Sequence, residues 1–67
     1  MTVNDLIKGD IVTYKNGQVN RVKKPIRYQR NYNEDMTNIH DSQLDIVKVQ
    51  RFIKFLGLYR LKTIYRR

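Results

Sequence analysis

The dipeptide Asn16-Gly17 stands between two short runs suited to extended backbone, Asp10-Ile11-Val12-Thr13-Tyr14 and Gln18 to Lys23. Asn and Gly tolerate the positive φ angles of a two-residue hairpin turn, so this pair sets an antiparallel ribbon near the start of the chain. The return strand carries Val19 and Val22. Their spacing of three rather than two predicts a bulge or weak pairing. Ahead of the hairpin, Thr2 or Asn4 caps one helical turn that Gly9 ends, with Val3, Leu6 and Ile7 pointing inward. The chain has 67 residues, which is one domain, spanning 1–67. A fold of this size buries only about 60% of its unfolded surface, so the core is small.

Beyond the hairpin, Pro25 cannot donate to a ladder and marks a strand end or an edge. Ile26 to Tyr32 alternates, which predicts a strand with Ile26, Tyr28, Arg30 and Tyr32 on one face. Asn33 to Ser42 is polar and reads as a loop. Leu44 to Val49 reads as a strand, and so does Tyr59 to Tyr65, with a loop around Ile53 to Leu58. Phe52, Phe55, Leu56 and Tyr59 also fit helical spacing, so a C-terminal helix over 52–65 is the alternative. Gly57 weighs against it, at about 1 kcal/mol relative to Ala. Short strands joined by tight turns predict a mainly β fold, a small antiparallel five-stranded barrel with a short N-terminal turn. With the helix at 52–65, the fold becomes α+β instead.

Fourteen Lys or Arg against six Asp or Glu give a net charge of +8, and the signs are segregated. Ile11 to Asn33 holds Lys15, Arg21, Lys23, Lys24, Arg27 and Arg30 and no acid. Ile46 to Arg67 holds Lys48, Arg51, Lys54, Arg60, Lys62, Arg66 and Arg67 and no acid. Two single-sign blocks create a field that attracts anions. Nucleic acid is the commonest such partner, and an acidic protein is the other. In the first block Tyr28 and Tyr32 interleave with cations that suit phosphates, while tyrosines stack on bases. The second block encloses the apolar stretch Phe52, Ile53, Phe55, Leu56 and Leu58. Phe52, Phe55, Leu56 and Leu58 are the candidate protein interface, since so short a chain cannot bury them all.

Several classes drop out. The chain has no cysteine, so disulfides and thiolate metal sites are absent. No apolar run approaches the ~20 residues that span a bilayer. The N-terminal residues lead into no hydrophobic signal core, so nothing in them marks the chain for secretion. His40 is the one histidine, in a polar loop beside Asp41 and Ser42, and reads as a solvated residue. Glu34 and Asp35 read as a turn in which Asp35 accepts from a nearby backbone N–H. These residues offer no convergent acid–base pair, so neither catalysis, a cofactor nor a metal is expected.

Ile7-Lys8-Gly9-Asp10-Ile11-Val12 followed by Asn16-Gly17 resembles the opening of small Src-homology-three-type barrels, including KOW modules. Leu6 to Gly17, Tyr32-Asn33-Glu34-Asp35-Met36-Thr37 and Asp45-Ile46-Val47-Lys48-Val49 more closely resemble small proteins of phages and prophages of Gram-positive bacteria, in the same order. That resemblance implies a phage accessory protein in the host cytoplasm. The resulting expectation is a non-enzymatic binding protein. Its basic surface engages nucleic acid or a host machine that handles it, as an anti-CRISPR-like inhibitor of host defence would. Being basic, it is no mimic of DNA. The alternatives are an oligomerising assembly or regulatory protein, a homo-oligomer through Phe52 to Leu58, and a sponge for signalling nucleotides.

Overall fold

A computed structural model describes residues 1–67. Thr2 caps a single 3-10 turn at Val3–Asp5. Its hydroxyl accepts from the Asn4 N–H, and the Asp5 carboxylate accepts from the Thr2 N–H at 2.7 Å. This reciprocal capping buries Val3 and Leu6, whereas Ile7 faces solvent, contrary to the expectation that all three point inward.

Strands β1 (Ile11–Tyr14) and β2 (Val19–Arg21) form the hairpin that Asn16-Gly17 dictates, with Gly17 at φ 89°. Their pairing runs without a bulge, Ile11 opposite Arg21 and Thr13 opposite Val19. Val22 lies past the end of β2 and is fully buried, while Val19 is exposed. The irregular valine spacing therefore reflects a strand that ends between the two valines.

Pro25 begins a helix rather than ending a strand. Helix α1 (Pro25–Asn31) has the proline in its first turn, where a fixed φ and a missing N–H cost nothing. The alternation from Ile26 to Tyr32 contains an i, i+4 pair, Tyr28 and Tyr32, which a helix places on one side. Both rings bury and stack, with centroids 5.6 Å apart. Ile26 and Arg30, which an extended segment would put beside them, are exposed.

Strands β3 (Ile46–Phe55) and β4 (Leu58–Arg66) complete one antiparallel sheet in the order β2-β1-β3-β4. Leu44 falls in a short 3-10 turn before β3 instead of in the strand. Residues 52–65 are strand and not helix. The expected loop at 53–58 shrinks to the two residues Leu56-Gly57.

The protein is mainly β with one short helix, and its single antiparallel sheet is no closed barrel. It has four strands, and β2 and β4 remain open edges. A three-residue edge strand is too short to close against β4, and α1 takes up the segment expected to supply the fifth strand. The core lies on one face of the sheet. Val12, Val49 and Ile46 meet Val3, Leu6, Val22, Tyr28, Tyr32 and Met36. Tyr32 donates to the Leu44 carbonyl at 2.7 Å, fastening the end of α1 to the turn before β3. No helix is long and apolar enough to cross a membrane.

Candidate nucleic-acid interface

The first basic block folds around an open cleft of about 580 Å³. Arg21 at the end of β2, Lys23 and Lys24 in the connection, and Arg27 in the first turn of α1 all line it. All four are exposed, and no acidic residue lines the cleft. The hairpin turn fixes where β2 ends and Pro25 fixes where α1 begins, so two local signals bring these cations together. Arg30, also expected here, lies on α1 outside the lining.

Tyr14, Tyr28 and Tyr32 form the floor. The Tyr14 and Tyr28 hydroxyls lie 2.9 Å apart, and Asn20 Nδ2 donates to the Tyr28 oxygen at 3.2 Å. Burial first, then the Tyr14 hydroxyl, push the Tyr28 phenol above its ordinary range. Burial also pushes Tyr32 up to about 12. Both phenols are therefore neutral donors and acceptors at neutral pH. The Tyr28 and Tyr32 rings belong to the core and present no free face, so base stacking on Tyr28 is not available.

Asn31, Asn38 and His40 add polar groups to the rim. Sequence reasoning read His40 as a loop residue; it is an exposed loop residue, and the fold swings that loop beside α1. Nothing in the local sequence signals this, because the bridge of Tyr32 with Asn38 that positions the loop joins segments of irregular chain. Asp35 accepts from the Thr37 N–H at 3.1 Å and from its hydroxyl, the turn expected from sequence. Those bonds hold its carboxyl below the usual range.

The second block divides. Arg51 belongs to the fold: its Nε and Nη2 each donate to Asp10 at 2.9 Å, and Asp10 is 1% exposed. That bidentate pair raises the Arg51 pKa. Lys48 and Arg66 face each other at the base of the β3–β4 hairpin, and Arg67 reaches Asp45 at 3.8 Å. Lys54, Arg60 and Lys62 lie farther out. Past Gln50, β1 no longer pairs with β3, so Arg51–Phe55 and its β4 partners form a two-stranded arm.

Cross-strand partners share a face of that arm. Phe55 with Leu58 and Ile53 with Arg60 occupy one side; Phe52 with Leu61 and Lys54 with Tyr59 occupy the other. Phe52, Phe55, Leu56 and Leu58, the expected interface residues, are all exposed on the arm, as are Ile53, Tyr59 and Leu61. Lys54 Nζ sits 5.9 Å from the Tyr59 ring centre. The clean alternation of 59–65 is visible in the sequence. That neither side is covered depends on where β1 stops. No three His, Asp or Glu side chains stand together as a metal site. Comparison with family models, curated proteins and solved structures finds no match to this chain.

Proposed function

We propose that this chain is a non-enzymatic binding protein that holds nucleic acid by its phosphates. The observation that carries this reading is the acid-free cleft in which Arg21, Lys23, Lys24 and Arg27 converge. Four cations around a concave floor concentrate positive potential, and the neutral phenols beneath them do not repel an anion. In the phage setting that the sequence resemblance implies, the same surface would engage a host machine carrying DNA or RNA. Inhibition of host defence is one such role.

Four phosphate contacts give a slope of log affinity on log salt of about −3 to −4, a loss on the order of 100-fold between about 50 and 200 mM salt. Lys23→Ala with Lys24→Ala is expected to lower that slope by about 1 to 2. Fluorescence anisotropy with labelled single-stranded and duplex oligonucleotides measures both. Absence of binding at the lower salt sinks the reading. The cleft volume also falls within the ~300–1,000 Å³ of small-ligand pockets, which favours a free nucleotide as the second reading. Displacement of the oligonucleotide by micromolar mononucleotide would select it.

A further inference from the structure

The cleft leaves the β3–β4 arm without a role. We propose that the arm is a DNA wedge: the ribbon enters a groove of B-form duplex, and its apolar tip, led by Leu56, presses into a base step. This rests on the nucleic-acid reading above and adds the form of nucleic acid and the mode of engagement.

The tip is Phe55-Leu56-Gly57-Leu58, and Leu56 is 86% exposed at φ 51°. Leucine in the left-handed region costs on the order of 1 kcal/mol, and two-residue turns of this kind favour Asn there. Leu56 thus strains the turn and adds nothing to the core, a combination that points to work outside the fold. Lys54 lies on one face of the ribbon, Arg60 and Lys62 on the other. A ribbon with cations on both faces suits a groove walled by phosphates on both sides.

Two strands ~4.8 Å apart fit the ~12 Å major groove of B-DNA, whereas the deep, narrow major groove of A-form RNA excludes them. In proteins that enter the minor groove, Leu and Phe are among the side chains that wedge between base steps and unstack them, and the apolar tip would do the same from the major groove. Other occupants fit less well. A second copy would set Lys54, Arg60 and Lys62 against their own kind, with no acid between Ile46 and Arg67 to offset them. Hydrocarbon would leave the open edge of β4 with unpaired backbone groups.

The test uses the full chain and a DNA duplex of about 20 base pairs with 2-aminopurine at a TA step, the kind most easily unstacked. Binding of the unaltered protein is expected to raise 2-aminopurine fluorescence and to favour DNA over an RNA duplex of equal length. Leu56→Asn keeps an Asn-Gly turn, so the arm stays folded. It is expected to abolish the fluorescence rise and weaken binding by about tenfold, the worth of one buried leucine, with the salt slope unchanged. Lys23→Ala with Lys24→Ala lowers the slope but keeps the rise at saturation. DNA binding with no rise, or with a rise that survives Leu56→Asn, overturns the wedge and leaves the cleft reading intact. Failure to bind any oligonucleotide overturns both. A dimer in sedimentation that Leu56→Asn dissolves assigns the tip to a second copy and also overturns the wedge.

Discussion

Replacing Asp10 with alanine removes the one carboxylate that ties the N-terminal turn to the sheet. Asp10 accepts three bonds, from Arg51 Nε and Nη2 at 2.9 Å each and from the Ile7 N–H at 3.0 Å. Breaking a buried pair costs about 3–5 kcal/mol because one charge is left uncompensated. Here the surviving partner, Arg51, keeps 29% of its side chain in water and a bond to the Asp5 carbonyl at 2.8 Å. That lowers the expected loss to about 3 kcal/mol. A single core of this size rarely supplies more than about 3–5 kcal/mol, so Asp10→Ala leaves the protein close to its unfolding midpoint. The corresponding fall in Tm is about 12–24 °C. Urea unfolding followed by circular dichroism measures it. Arg51→Met is expected to cost at least as much, because its surviving charge is the more deeply buried one. A loss below about 1 kcal/mol for Asp10→Ala would refute the claim that this pair organises the fold and would return Arg51 to the candidate binding residues.

Raised phenol pKa values predict an alkaline limit. Tyr32 titrates at about 12 in the fold against 10.0 when unperturbed. Its contribution to stability is complete below pH about 10 and is lost as pH rises toward about 12. Absorbance of tyrosinate should therefore show Tyr28 and Tyr32 ionising late, together with loss of ellipticity; ionisation of all five tyrosines near the ordinary value would contradict the buried floor. Met36 is fully buried at the junction of the loop with the sheet. Met36→Ala is expected to cost about 2–4 kcal/mol in urea denaturation, and a cost under about 1 kcal/mol would show that the core closes over the gap.

The structure separates a body that holds all nine core residues from an arm that holds none. This division explains how a basic protein of 67 residues carries two unlike surfaces. The cleft is polar, concave and cationic. The arm is apolar and cationic on both faces.

Elements set by neighbouring residues were legible in the sequence. Thr2, one of the two candidate caps, caps the first turn, Asn16-Gly17 closes the first hairpin, and alternation marks 59–65 as strand. Arg21, Lys23, Lys24 and Arg27 were legible as neighbours in one acid-free stretch, whereas Arg30, expected with them, lies outside the cleft because the segment is a helix. The tertiary structure decided the rest. Ile26 to Tyr32 suits two periods at once, and the helix wins because it delivers Tyr28 and Tyr32 to the core while leaving Arg30, which a strand would put on the same face, in water. Whether Arg51 binds a ligand or the fold depends on Asp10, 41 residues away. Whether the sheet closes depends on the three-residue length of β2 and the ends of β1, which also decide that Phe52, Phe55, Leu56 and Leu58 stay in water. Local chemistry chooses backbone angles, but burial is settled by what the rest of the chain is long enough to cover.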